Sequence, residues 1–336
     1  EDLRGINVKK DDASVLGFDS KWEDAHPGRR ERVESINTVM GRWSRFITDE
    51  SVKNAMDYKP REGDIFIATH SKAGTTMMQQ IVHQLRSKGD VSFEEISVVV
   101  PWLEMAQDVS IDLEGEQTYS PRAFKTHFDW PNVPKSFDEN GNLVGKYIYI
   151  ARNPVSIVVS IYYFLLDWFY TAEEFHFCDL VELMLYKRSV PVWNHYAEWF
   201  EAAKKYKDNI LWVFFEDMVG KREECVRKVS EFIGLDFDDI EERIQIATDN
   251  SSFEWMKTHD NLFDEAPSKR ARNDKFGAVG EKASKIRTGK TTVDTMDPLL
   301  RQELDEVLWS RFKEVLNVDS YEKLRELVKN SDAQVF

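Results

Sequence analysis

The chain has 336 residues, with 60 acidic side chains against 45 basic ones and a net charge of −15. Hydrophobic residues at 42% and charged residues at 31% are ordinary for a folded protein, which excludes a disordered or collagen-like chain. The length suits one large domain or two small ones, and the acidity argues against nonspecific binding to nucleic acid or to an anionic membrane.

In chain order, residues 1–45 are polar and poor in aliphatics. They are expected to form an N-terminal arm packed on a single domain spanning 46–336. Asp64 to Thr69 is a short apolar run after Gly63 and predicts a buried strand. Met77, Met78, Ile81, Val82 and Leu85 behind it are spaced for one face of a helix. Lys146 to Ala151 predicts a second strand, stopped at Asn153-Pro154, with a long apolar helix from Val155 to about Phe169. Ile210 to Phe215 predicts a third, followed by a helix through Val226, Val229, Phe232 and Ile233 that Gly234 ends. A terminal helix from Pro298 to about Leu316 carries Leu299, Leu304, Val307, Leu308 and Phe312 as a core-facing stripe. Strands alternating with helices predict an α/β fold, with a central parallel sheet flanked by helices on both faces. Ligands of such sheets bind at the carboxyl ends of the strands.

Two cysteines, Cys178 and Cys225, are too few for a disulfide framework and have no zinc-ligand spacing, so buried thiols in a reducing compartment are expected. The longest apolar stretch, Ser156 to Leu166, is too short to cross a bilayer, and no leader is visible. A cytoplasmic location is the expectation.

The first strand runs through His70-Ser-Lys-Ala-Gly-Thr-Thr76 straight into a helix. Backbone N–H groups at a helix N-terminus form an anion nest, and Gly74 lets the backbone approach a ligand closely. Lys72 can set an ammonium on a phosphate, and Thr75 and Thr76 can donate hydroxyl hydrogen bonds. The bland alternative is a tight strand-to-helix turn with Thr75 as N-cap. It is not a Walker A loop, because Lys72 precedes Gly74. The only Gly-Lys-Thr, Gly289 to Thr291, has Ser284 where the first glycine belongs and no strand ahead of it.

Taken together, four segments carry a resemblance. Lys72-Ala-Gly-Thr-Thr76 resembles the phosphosulfate loop of the cytosolic sulfotransferases. Arg122 to His127 is similar to their Lys-Thr-His strand, and Tyr147 to Pro154 with Ser160 to their 3′-phosphate motif. Ile210 to Met218 is similar to their strand ending in Glu-Asp-Met. The likeness runs with gaps from about residue 60 to 290. It implies a P-loop-like fold and a PAPS-dependent sulfotransferase, with 3′-phosphoadenosine 5′-phosphosulfate (PAPS) as donor, PAP as product and no metal. His127 has the pKa range of a general base at neutral pH. Lys72 and Lys125 can stabilise the leaving phosphate. On its own, His127 would read as a hydrogen-bonded structural histidine; beside Lys125 and the loop, catalysis is the better account.

The resemblance also assigns Arg152 and Ser160 to the 3′-phosphate; without it, Arg152 reads equally as an ion-pair partner and Ser160 as a packing residue. Ser251, Phe253 and Met256 match the adenine-side pattern, and Arg287-Thr288-Gly289 resembles the segment that closes over the 3′-phosphate. Residues 268–290 hold eight Lys and Arg against Asp274 and Glu281, which suggests a basic lid ordered by the donor. Departures from the family lie at Ala73, at Met77 in place of an adenine-stacking tryptophan, at Phe215 in place of a tyrosine, and at Thr288. Each weakens a nucleotide contact, so lower PAP affinity than a typical member is expected.

Trp102, Tyr163 and Phe164 are candidate walls, beside His127, for a small-molecule acceptor. Aromatic walls suit a phenol or steroid, whereas the chain's acidity, including Asp129, suits a cationic alkaloid or amine. Neither nucleic acid nor membrane is expected as a partner, and a homodimer is an open option. The rival functions are a nucleotide kinase, with Glu216-Asp217 as its magnesium carboxylates, and an inactive PAP-binding scaffold.

Overall fold

The computed structural model describes residues 46–169, 180, 192–276, 286 and 298–336. The expected arm at 1–45, Cys178, and the lid residues Arg287, Thr288 and Gly289 lie outside the described residues, as does the Gly289 to Thr291 decoy. The elements in chain order are α1 (Asp49–Asp57), β1 (Ile65–Thr69), α2 (Thr75–Ser87), β2 (Ala123–Thr126), the hairpin strands β3 (Ser136–Phe137) and β4 (Leu143–Val144), and β5 (Lys146–Ala151). There follow α3 (Pro154–Trp168), α4 (Val192–Lys205), β6 (Ile210–Phe214), α5 (Phe215–Gly220), α6 (Arg222–Ile233), α7 (Ile240–Asn250) and α8 (Phe253–Thr258). The chain then builds α9 (Ala266–Phe276), α10 (Pro298–Leu316), α11 (Tyr321–Lys329) and β7 (Gln334–Val335).

Five strands form one parallel sheet in the order β2-β1-β5-β6-β7. Successive side chains of a strand point to opposite faces, and here each face has its own core. Ile65, Ile67, Ile148, Ile150, Leu211 and Val213 pack with α2, α6 and α7 on one side. Phe66, Ala68, Tyr147, Tyr149, Trp212 and Phe214 pack with α3, α4, α10 and α11 on the other. The strands are apolar throughout because both faces are covered. The second face is aromatic: Phe66 stacks on Phe124 and Tyr147, and Tyr149 on Trp199.

Local signals set the ends of the helices. Asn153 accepts a hydrogen bond from Val155 N–H and Pro154 fills the first turn, so α3 starts where β5 must stop. Gly234, at φ +74°, ends α6 in the left-handed conformation that favours glycine. The third strand is one residue shorter than expected, since Phe215 opens α5. The helix expected behind it is two, broken at Lys221, whose dihedrals are not helical. Of the expected terminal stripe, Leu304, Leu308 and Phe312 are buried and Val307 is half-buried, while the Leu299 side chain lies outside what is described. Beyond it, α11 and β7 add an edge to β6 in the register Leu211↔Gln334.

β1 is tied to its neighbours by a buried charge. Arg122 donates to both oxygens of Asp64, at 3.0 and 2.9 Å, and the Tyr58 hydroxyl and Arg61 N–H donate to the same carboxylate. Removing one partner of a buried pair strands the other charge. Asp64→Asn should therefore cost about 3–5 kcal/mol in denaturant unfolding. Tyr58→Phe, which keeps the pair, should cost about 2 kcal/mol; equal losses for the two variants would contradict this.

Candidate active site

The carboxyl ends of β1, β2, β5 and β6 open on one side of the sheet, and the expected residues gather there. The loop after β1 turns with Lys72 at φ +68° and Gly74 at φ +114°. A Cβ at Gly74 would lie 2.4 Å from Phe215 Cδ2, so a larger residue has no room. Gly74 is also the N-cap of α2 and offers no side chain to the first N–H groups of the helix. Those groups are the donors that an anion at a helix N-terminus uses. Thr75 Oγ1 is instead bonded to Thr69 Oγ1 at 2.7 Å, joining loop to strand. Lys72 Nζ lies 4.7 Å from the centroid of the Phe164 ring.

His127 sits one residue beyond β2. Its Nδ1 is 3.0 Å from the carbonyl oxygen of Thr69. A carbonyl only accepts, whereas the Thr69 hydroxyl, 3.1 Å from the same Nδ1, can take either role, so both contacts are satisfied with the hydrogen on Nδ1 and Nε2 left as the basic nitrogen. Burial first, and then the Lys125 charge, push the imidazole down to about 3, so it is neutral at pH 7. Its backbone is held from two sides. His127 N–H donates to Glu104 Oε1 at 2.6 Å, while His195 on α4 approaches the His127 carbonyl at 3.3 Å. His195 in turn meets the Tyr149 hydroxyl at 2.7 Å, and Trp199 donates to the Phe128 carbonyl.

Lys125 is only 2% exposed, with Nζ 2.5 Å from Glu265 Oε1 and 4.5 Å from the centroid of the Trp102 ring. Trp102 continues the sheet beside Lys125 as an isolated parallel bridge and stands edge-on to His127, with centroids 5.4 Å apart. Lysine, histidine and tryptophan thus form one contiguous wall.

At the end of β5 the backbone of Arg152 is clamped. Its N–H donates to Tyr196 Oη at 2.7 Å, and that hydroxyl donates to its carbonyl at 2.6 Å. Arg152 Nη1 donates to the Lys72 carbonyl, and the guanidinium lies over the Phe215 ring at 4.5 Å. Arg152 is thereby joined to the loop that carries Lys72. Glu216 accepts from Asn153 N–H at 3.0 Å and from the Tyr321 hydroxyl. Asp217 is paired with Arg325 and Lys329. Both carboxylates suggested for a kinase are committed to structural contacts, which answers that alternative. Among the described residues, no group of three or more His, Cys, Asp or Glu is placed to hold a metal ion.

The remaining expected residues divide. Ala73 is buried; Thr76, Met77, Ser160, Tyr163 and Phe164 are half-buried, and Met77 and Phe215 lean on the same core cluster. Phe253 is exposed at the start of α8. Ser251 is buried with its hydroxyl on the Thr248 carbonyl, and Met256 is a core side chain. Sequence reasoning missed Glu104 as a partner of His127, along with Glu265, His195, Tyr196 and the Glu216–Tyr321 contact. Only Glu104 carried a signal, since it lies two residues after the candidate wall residue Trp102.

The chain is similar to known proteins in sequence and in fold. The sulfotransferase domain family model matches residues 62–318. Sulfotransferase 1B1 of Canis lupus familiaris is 34% identical over 222 residues, covering 61% of this chain and 70% of its own. Sulfotransferase 1E1 of Bos taurus is 30% identical over 220 residues, covering 62% and 71%. Among solved structures, retinol dehydratase in complex with androsterone and the inactive cofactor PAP superposes with a TM-score of 0.60 at 20% identity, covering 80% of this chain and 85% of that one. Mouse sulfotransferase SULT7A1 complexed with PAP gives 0.58 at 20% identity, covering 84% and 95%. The chain belongs to the sulfotransferase family, and is an enzyme of that class.

Glu104 supplies a pH test. Burial raises its carboxyl to about 7, against the bond it accepts from His127 N–H. A carboxyl raised on folding stabilises fully below its unfolded pKa and loses that contribution as pH climbs through the folded value. Glu104→Gln keeps an oxygen for His127 N–H and cannot ionise. Its stability relative to wild type should rise by roughly 2–4 kcal/mol between pH 4.5 and 7 and level off above. A difference that stays constant with pH would contradict the buried carboxyl.

Proposed function

We propose that the protein transfers the sulfuryl group of PAPS to a hydroxyl, or an amine, of a small-molecule acceptor, with residues 46–336 as one catalytic domain. The observation that carries this is the joining of three cationic or basic stations at neighbouring strand ends: Lys72 in the loop, Lys125 with His127, and Arg152 held to the loop through the Lys72 carbonyl. A donor with phosphates at both ends needs two anion sites, and the loop and Arg152 supply them. The loop fits a phosphate because Gly74 has no Cβ, which lets the Phe215 ring lie against the backbone beside helix N–H groups that no side chain caps. The complexes of two fold neighbours with PAP support the same donor.

In this scheme Lys72, Gly74, Thr75 and Thr76 hold the 5′-phosphosulfate, Arg152 and Ser160 the 3′-phosphate, and Met77, Phe215 and Phe253 the adenine. Nε2 of His127 takes the acceptor's proton as its oxygen bonds to sulfur. Lys72 and Lys125 neutralise the phosphate oxygen left when the old sulfur–oxygen bond breaks. The imidazole is unprotonated at pH 7, as a proton acceptor must be, and the Thr69 carbonyl at Nδ1 leaves Nε2 to accept. Burial and the Lys125 charge nevertheless put it well below the near-neutral range expected from the sequence, so it is a weaker base than a free histidine. Androsterone and retinol, bound by retinol dehydratase, support an apolar small-molecule pocket walled by Trp102, Tyr163 and Phe164.

His127→Ala should lower turnover about 10²–10⁴-fold while PAP still raises the melting temperature. Arg152→Ala should weaken PAP about 10–150-fold, the worth of a hydrogen bond to a charged group. Met77→Trp should tighten PAP by restoring a stacking face. Calorimetric titration with PAP and a PAPS transfer assay read all three. Unchanged PAP affinity in Arg152→Ala would remove that residue from the donor site.

A further inference from the structure

His127 and Arg152 both lie just past the hydrogen-bonded part of the sheet. The β1–β2 pairing ends at Ala68↔Thr126 and the β5–β6 pairing at Ala151↔Phe214, so neither ladder extends to the residue that follows the strand. β2 is also an edge of the sheet, with Trp102 beside it only as an isolated bridge at Lys125. Backbone groups that leave a ladder in a buried setting need other partners. At both places a partner comes from one helix, α4.

His195 and Trp199 are one turn apart on α4 and meet the end of β2. His195 Nε2 is 3.3 Å from the His127 carbonyl oxygen, and Trp199 Nε1–H donates to the next carbonyl, that of Phe128, at 3.1 Å. A carbonyl only accepts, so Nε2 of His195 carries the hydrogen, and its Nδ1 accepts from the Tyr149 hydroxyl at 2.7 Å. Burial first, and then the neighbouring His70, hold the His195 imidazole neutral, the form with one donor and one acceptor that these contacts use. Tyr149 is itself stacked on Trp199. Tyr196, the next residue along α4, meets the end of β5, where its hydroxyl bonds both the N–H and the carbonyl of Arg152.

We propose that α4 is a positioning helix for the reaction, with His195 holding the backbone of His127 and Tyr196 that of Arg152. This rests on the base and donor roles proposed above. Both residues act through another side chain rather than on the reacting atoms. Because they are adjacent on one helix, they fix the base and the 3′-phosphate cation relative to one another. For His127 the consequence lies in its tautomer. Its Nδ1 meets the Thr69 carbonyl while the 127–128 peptide stays in place, and that contact leaves Nε2 to accept a proton. With the carbonyl of His127 released, the ring loses its fixed approach to Thr69 and the hydrogen divides between the two nitrogens. The molecules with the hydrogen on Nε2 then present no base to the acceptor. For Arg152 the consequence is a guanidinium whose root is no longer clamped, and therefore a weaker hold on the 3′-phosphate.

Nitrogen NMR of the histidine rings at pH 7, with His127 assigned by its absence in His127→Gln, reads the tautomer, and calorimetry reads PAP affinity. Wild type should show His127 in one form, with the hydrogen on Nδ1. His195→Phe keeps a ring and loses the donor; it should show His127 in both forms, with PAP affinity unchanged. His195→Gln, which can set an amide N–H where Nε2–H was, should restore the single form. Tyr196→Phe should do the opposite, weakening PAP about 5-fold or more, part of the loss expected for Arg152→Ala, with the His127 spectrum unchanged. A helix that only packs would move both readouts together or neither. An unchanged His127 tautomer in His195→Phe, no recovery in His195→Gln, or unchanged PAP affinity in Tyr196→Phe overturns the proposal. Should His195→Phe not fold, Tyr149→Phe takes its place, since it removes the hydroxyl that holds His195 and should give the same mixture. If PAP fails to bind wild type, the donor assignment falls and the role of Tyr196 with it, while the histidine spectrum alone decides that of His195.

Discussion

The site depends on β1 lying between β2 and β5 with all three strands running the same way. The registers Ala68↔Thr126 and Thr69↔Ile150 bring their carboxyl ends level. Everything placed just after those ends is then adjacent: the loop 70–74 after β1, His127 after β2, Arg152 after β5. Parallel pairing is stable here because both faces are covered, one by aliphatic side chains and the other largely by aromatic ones. Thr69 makes the arrangement concrete. Its carbonyl fixes the His127 tautomer, and its hydroxyl reaches Thr75 in the loop.

Burial then sorts the charges. The same desolvation drives the His127 imidazole down and the Glu104 carboxyl up, so each is pushed toward its neutral form. One backbone bond, from His127 N–H to Glu104, connects them. The cationic side chains at the site are handled by partners of different kinds: an aromatic ring for Lys72, a carboxylate and a ring for Lys125, a carbonyl and a ring for Arg152. In the proposed function those cations serve the donor.

Much of this was legible in the sequence, because it rests on local pattern. Apolar runs ended by Gly63 or Asn153-Pro154 mark strands buried on both faces. The glycine at 74 between a strand and a helix marks the loop, and the spacing of Lys125 and His127 marks two residues on one strand end. What was not legible depends on approach across long separations. Glu265 meets Lys125 over 140 residues, and Tyr321 meets Glu216 over 105. No local pattern encodes such contacts. Ser251 and Met256 were named from the sequence pattern, and what that pattern does not show is that the Ser251 hydroxyl is bonded to the Thr248 carbonyl and that Met256 packs in the core. β7 escaped notice because two residues are too few to show alternation.

The central claim is that the strand ends form a two-ended site for a nucleotide phosphorylated at both its 5′ and 3′ positions. Competitive calorimetry on the wild-type chain with PAP, 5′-AMP and ATP–magnesium tests it most directly. PAP should bind at least tenfold more tightly than 5′-AMP, because only PAP engages both the loop and Arg152, and it should displace ATP–magnesium. Tighter binding of ATP–magnesium than of PAP, or no gain from the 3′-phosphate, would contradict it.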